Sequence, residues 1–239
     1  MGPPLALLTE LGLPTDATFA TQNVFSRPSL FIQALVRKLP RGEELTRDQT
    51  LFLVRFATAC DCAWEERDKD PKERSVHHLL LLGQGGSGKT HVVQKIIFVA
   101  VAFIWPQESP LEPTLQVVAS SNAQAKNIST ASVKARTIHN ATCMRVQKYV
   151  NPKMRPGNKQ SSLTRLWDKV MVLVIEEISM VAASLYNMLD FRAMYGRSRT
   201  HNVHEQNYSR KGHAFGRIPI VIHLGGFFQL KPTANLSHR

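Results

Sequence analysis

The sequence predicts an α/β fold, a mainly parallel sheet covered by helices on both faces and preceded by N-terminal helices. Three observations predict it. Four short apolar runs, at residues 76–82, 115–119, 170–175 and 218–224, are nearly continuous rather than alternating, which is the pattern of strands buried on both sides. Helical segments separate them, and strand–helix alternation places successive strands parallel in one sheet. A Gly-rich octapeptide, residues 83–90, connects the first run to the helix behind it.

Each element follows in order. Residues 1–28 are rich in Pro and Thr without a period, and read as an irregular arm. Apolar spacing predicts helices over 29–38 and 46–64, the second capped by Thr46 with Asp48. The segment EERDKDPKER (65–74) reads as a charged linker. After the first strand and the Gly-rich turn, residues 91–104 read as a buried helix that stops before Pro106. Residues 106–113 hold three prolines and form a loop before the second strand, and 122–128 read as a helix. The stretch NPKMRPGNKQSS (151–162) is a polar, basic loop. The run VMVLVI (170–175) is the third strand, a helix follows over 181–194, and 196–217 are loop-like before the fourth strand. No internal repeat is present. Two parts are expected, a lead-in over 1–44 and a single domain over 45–239.

Composition narrows the function classes. Of 239 residues, 43% are hydrophobic and 20% charged, the balance of a globular chain with enough material for a core. Three cysteines, Cys60, Cys62 and Cys143, do not make a disulfide framework and fit a reducing compartment. The spacing Cys60-Asp61-Cys62 is not a redox motif, and His201 with His204 lacks a second pair to complete a zinc site. The longest apolar run, 96–105, is short of the roughly 20 residues a membrane helix needs. The N-terminus lacks a basic start and carries Glu10, a poor secretory signal. An intracellular setting follows, nuclear or mitochondrial.

The net charge of +12 is unevenly spread. Residues 1–120 carry 12 basic and 13 acidic side chains, whereas 121–239 carry 18 and 5. Within 121–175 there are ten basic residues and one acid, Asp168. A basic block of this kind points to a polyanion partner or, equally, to a solvated basic face.

The octapeptide GQGGSGKT fits G-x-x-x-x-G-K-[ST] between a strand and a helix. Gly83, Gln84, Gly85, Gly86, Ser87 and Gly88 form a backbone that can turn its N–H groups onto phosphate oxygens, at the start of a helix whose dipole favours an anion. Lys89 is placed to reach the β- and γ-phosphates, and Thr90 offers a hydroxyl to magnesium. The third strand ends in Glu176-Glu177. Glu176 is assigned to the metal and Glu177 to the attacking water. Behind the fourth strand lies GGFFQLKP, where the neutral amide of Gln229 is a candidate γ-phosphate sensor. Phe227 and Phe228 read as core residues before base-stacking ones.

The order GQGGSGKT, VVASSNAQAKNI with TIHN, VLVIEEISMV, and FGRIPIVIHLGGFFQLKP resembles the PIF-type DNA helicases, superfamily 1B enzymes related to RecD, nearest their transposon-borne, Helitron-like branch. The resemblance covers about residues 45–236. It implies a RecA-like ATPase core using ATP and Mg2+, 5′-to-3′ movement on single-stranded DNA, duplex unwinding, and work in DNA repair, recombination and telomere maintenance. It implies that Gln49 contacts adenine and that Ser120, Ser121, Asn122, Thr137, Ile138, His139 and Asn140 line the DNA strand. For His139 a place in the core competes with one at DNA. Lys126, Lys134, Arg136, Arg145 and Lys148 are then candidates for phosphate contacts.

The chain departs from the family pattern where Glu176 replaces an Asp and Gly226 replaces an Asp. An extra methylene displaces a carboxylate by about 1 Å, an error of a size that can cost about 100-fold. Residues 45–239 leave no room for a second RecA-like domain with its arginine finger, a group worth about 10³–10⁵ in rate, so the first motor domain alone is expected. Two other readings stand beside the helicase: a truncated relative that binds ATP and single-stranded DNA without unwinding, and a phosphate-loop ATPase of clamp-loader or kinase type.

Overall fold

The computed structural model describes residues 27–144, 160–197 and 214–226. Expectations for the arm at 1–26, for Arg145, Lys148, His201, His204, Phe227, Phe228 and Gln229, and for most of the 151–162 loop lie outside the described residues.

Helix α1 (Pro28–Arg37) opens with Pro at its first turn, where the missing N–H costs nothing. Helix α2 (Arg47–Glu65) begins in a full capping box: Thr46 Oγ1 accepts from Gln49 N, and Gln49 Oε1 accepts from Thr46 N. Gln49, not Asp48, is thus the partner of Thr46, because the third helical position is the one whose side chain reaches back to the cap. Strand β1 (His77–Leu82) leads through the Gly-rich turn into helix α3 (Lys89–Val92). That helix continues through a π segment, Val93–Ile97, into α4 (Phe98–Ile104). Strand β2 (Leu115–Ala119) is followed by helix α5 (Asn122–Ile128), as the sequence predicts. The remaining elements are β3 (Arg136–Thr137), α6 (Ile138–Ala141), α7 (Gln160–Trp167), β4 (Val172–Glu176), α8 (Ala183–Arg197) and β5 (Ile220–Gly225).

The five strands lie in the order β1-β5-β4-β2-β3, and every described pair is parallel. Alternate side chains feed two cores. Leu81, Val117, Val172, Val174, Ile220 and Ile222 pack with α1, α2 and the α3–α4 helix. Val118, Leu173, Ile175 and Val221 pack with Ile138, Leu163, Trp167, Met188 and Leu189 on the opposite face. Phe31, Ile32 and Leu35 of α1 belong to the first of these cores.

Further differences from the sequence reading have physical causes. The first strand is a half-exposed edge, with Leu80 and Leu82 open, because only β5 flanks it among the described residues. Residues 160–162 begin helix α7 rather than ending a loop; the helix buries Leu163 and Trp167 against α8. The two-residue strand β3 was too short for any periodic signal.

Helix α8 runs three residues past its predicted end. Its last residue, Arg197, is buried and donates to the carbonyls of Trp167, Asp168, Val170 and Gly216 at 2.8–3.0 Å. Among the described residues no helix is long and apolar enough to cross a membrane, no group of three or more His, Cys, Asp or Glu gathers as a metal site, and none of the three cysteines is in a disulfide.

Candidate functional site at the carboxyl edge of the sheet

Parallel register brings the strand ends to one edge. Leu82 pairs with Gly225, and Ala119 pairs with both Glu176 and Thr137. The chain therefore leaves β1 into the Gly-rich loop, β2 into Ser120–Ser121, β3 into the Thr137 cap and β4 into Glu177, all on one rim. This is where open α/β sheets hold their ligands.

The loop is anchored at its start by Gly83 N, which donates to Gly225 O at 3.1 Å. Gly86 and Gly88 lie at φ +77° and +78°, left-handed conformations that a side chain would strain by about 1–2 kcal/mol. Gly88 is also the N-cap of α3. Lys89 is only 8% exposed. Its ammonium lies inside the loop, donating to Gly83 O at 2.7 Å and Gln84 O at 3.0 Å, with Ser87 Oγ at 3.5 Å. Gln49 braces the same loop from α2, its Nε2 donating to Ser87 O at 2.9 Å. Both ends of that amide are engaged, yet its NH2 carries a second N–H and its oxygen a second lone pair, so the adenine contact implied by the resemblance does not require it to leave Ser87.

Facing the loop is the acid pair. Glu176, 5% exposed, is the last residue of β4, and its Oε2 is buried without a hydrogen-bond partner among the described residues. Burial, then the neighbouring Glu177 charge, push its carboxyl up to about 7, while Lys89 pulls the other way. Glu177 turns the chain at φ +48°, a strained conformation for a residue with a Cβ. Ser179 Oγ lies 3.5 Å from its Oε2, and its carbonyl accepts from Met180 N at 2.8 Å.

Between loop and acids lies a cleft of about 550 Å³, lined by residues 85–90, Glu176 and Glu177, and by Gln124, Asn127 and Met180. A glycine-rich loop that can turn its amides onto an anion, facing an orphaned buried carboxylate oxygen, suits a phosphate chain with a divalent cation. Gln124, Asn127 and Met180 were missed from sequence. The available signal was spacing: Gln124 and Asn127 stand three apart on a helix that starts directly behind a strand end, so they share one face.

The expected strand-contacting residues sit on the same rim. Ser121 caps α5, its Oγ accepting from Gln124 N at 3.3 Å, and Ser120 Oγ donates to Gln124 Oε1 at 2.6 Å. Asn122 is exposed. Thr137 is nearly buried and caps α6, accepting from Asn140 N at 3.3 Å. Ile138 is wholly buried and belongs to the core; Asn140 is exposed, and His139 lies between, its imidazole held below the usual range by burial. Lys126, Lys134 and Arg136 are exposed beside them.

With this geometry in place, comparison with known proteins is decisive on one point. A family model, PIF1-like helicase, matches residues 69–239. The chain belongs to the PIF1-like helicase family. The ATP-dependent DNA helicase PIF1 of Saccharomyces cerevisiae (strain YJM789) is 29% identical over 165 residues, spanning 68% of this chain and 16% of that protein. Unliganded Pif1 from Bacteroides sp shares the fold, with a TM-score of 0.52 at 20% identity over 82% of this chain and 34% of that one. Pif1 from Bacteroides in complex with ADP-AlF3 and ssDNA gives 0.51 at 20%, over 82% of this chain and 35% of that one. This PIF1-like chain thus spans about a sixth of the curated relative and about a third of the structural ones. The α/β parallel sheet predicted from sequence is the fold they share.

Proposed function

We propose that this chain carries the nucleotide-binding half of an ATP-dependent DNA helicase motor, coupling ATP hydrolysis to movement on single-stranded DNA. One observation carries the reading: the phosphate loop and the acid pair line one cleft, and the Ser/Thr caps of α5 and α6 stand on the same sheet edge. Family membership supports it, as does the complex of the Bacteroides relative with ADP-AlF3 and ssDNA.

Loop amides of residues 85–88 and the ammonium of Lys89 would hold the phosphate chain. Lys89 then exchanges the carbonyls of Gly83 and Gln84 for charged oxygens, which make the stronger bond. Thr90 and Glu176 would hold magnesium, which supplies neutralisation of phosphate charge when bound. Glu177 would orient the attacking water, and Gln229 would sense the γ-phosphate. Ser120, Ser121, Asn122, Thr137 and His139 would line the strand, with Lys126, Lys134 and Arg136 on its phosphates. The cellular setting we propose is nuclear or mitochondrial work in DNA repair, recombination or telomere maintenance, supported by family membership alone.

The test is ATP turnover by the purified chain with and without oligo(dT). Turnover raised by the strand and abolished in Lys89→Ala supports the motor. Nucleotide and strand binding without turnover moves the assignment to a binding-only relative. Turnover indifferent to DNA, with no strand binding, moves it to another class of phosphate-loop ATPase.

A further inference from the structure

Resting on the nucleotide and single-strand reading above, we infer that Gln124 is the positioning residue that couples occupancy of the cleft to the strand-contacting turn Ser120–Ser121. One side chain touches both. Its Nε2 donates to Met180 Sδ at 3.4 Å, on the wall of the cleft. Its Oε1 accepts from Ser120 Oγ at 2.6 Å and from Ser121 Oγ at 3.3 Å. The amide's orientation is fixed by chemistry: a thioether has no proton to give, so the end on sulfur is the NH2 and the oxygen faces the hydroxyls.

The two ends are unequal. Sulfur is a weak acceptor, so the bond to Met180 is readily given up, whereas a phosphate oxygen offers a charge-assisted one. A phosphate chain in the cleft therefore draws the NH2 from Met180. Oε1 belongs to the same planar group and moves with it, which retunes both serine hydroxyls at the β2–α5 turn. Met180 closes the turn behind Glu177, its N–H donating to Glu177 O at 2.8 Å, so the acid pair is tied into the same exchange. A plain helix cap needs only the Ser121–Gln124 backbone contact; the reach to Met180 in the cleft goes beyond capping.

The test is linkage. Affinity for a fluorescent oligo(dT) is measured by anisotropy at fixed salt, with and without a saturating non-hydrolysable ATP analogue and Mg2+. In the wild-type chain the analogue is expected to change strand affinity at least about 5-fold, the lower end of ordinary coupling. Gln124→Met keeps length and helix propensity without the amide. Gln124→Glu keeps the acceptor for the serines but loses the donor. In both, the affinity ratio is expected to fall to within about 2-fold of unity, read at analogue concentrations that saturate each variant. The inference is overturned if the ratio survives in both variants, if both affinities fall together with the ratio intact, or if the wild-type chain binds both ligands without linkage. A wild-type chain that binds no nucleotide or no strand instead defeats the motor reading itself.

Discussion

Gln49 and Ser87 are joined by a hydrogen bond of 2.9 Å across 38 positions of sequence. The bond makes the N-terminus of α2 a brace for the phosphate loop, since the same amide completes the capping box with Thr46. Gln49→Ala removes both bonds. The expected cost is about 1–2 kcal/mol, read as a lower urea midpoint, together with weaker nucleotide binding. A Cβ on Gly88 would stand 2.9 Å from Gln49 Nε2, at a φ of +78°. Gly88→Ala is therefore expected to be at least as damaging to nucleotide affinity as Gln49→Ala. Equal nucleotide titrations for wild type and both variants would exclude the brace.

Glu176 gives a pH signature. Its carboxyl titrates near 7 in the folded chain, above the ordinary 4.5, so the folded state holds the proton more tightly. Stability from this group is full below about pH 4.5 and is lost as pH rises through 7, a total on the order of 3 kcal/mol. Half-buried His78, His139 and His223 run the opposite way: burial lowers their values, and stability is lost as pH falls below the ordinary 6.5. They are common to wild type and Glu176→Gln and cancel in the difference. Without divalent ions the variant is expected to gain relative stability between pH 5 and pH 8. A flat difference in unfolding free energy across that range would refute the assignment.

The exposed cations near the rim make a salt prediction. Each phosphate contact on a single strand contributes about 0.7 to the slope of log affinity against log salt. Arg136→Ala and Lys126→Ala are each expected to weaken oligo(dT) binding uniformly across sequences and to flatten that slope by about 0.7. An unchanged slope in both would move the strand elsewhere.

Arg197 closes the α7–α8 junction. Its guanidinium is wholly buried among four carbonyls, and burial lowers its pKa to about 9. Arg197→Ala takes the guanidinium donors from those carbonyls, and a buried acceptor left unsatisfied costs about 1–3 kcal/mol, so a loss of about 3 kcal/mol or more is expected. Arg197→Lys is not expected to rescue it, because one ammonium cannot reproduce the planar fork. Urea unfolding of both variants measures this.

Much of the site was legible because its signals are local. Lys89 and the glycines stand within eight consecutive residues, and Glu176 directly follows an apolar run. Helix α5 spans the residues read as helical from sequence, 122–128, and in the structure Ser121 caps its start. Other features had no local signal. Strand β3 is two residues long, α7 hides behind a basic stretch, and the capping partner of Thr46 competes with Asp48 one position earlier.

The sequence alone determined the alternation of buried strands and helices, the phosphate loop, the acid pair and the family, because periodicity and motif spacing are properties of neighbouring residues. Only the tertiary structure decided that Glu176 is buried with an unmatched oxygen, that Gln49 reaches Ser87, and that Gln124 spans from Ser120 to Met180. Those facts depend on which strand ends share a register, and register is set by packing two cores across one sheet rather than by any residue's neighbours in the chain.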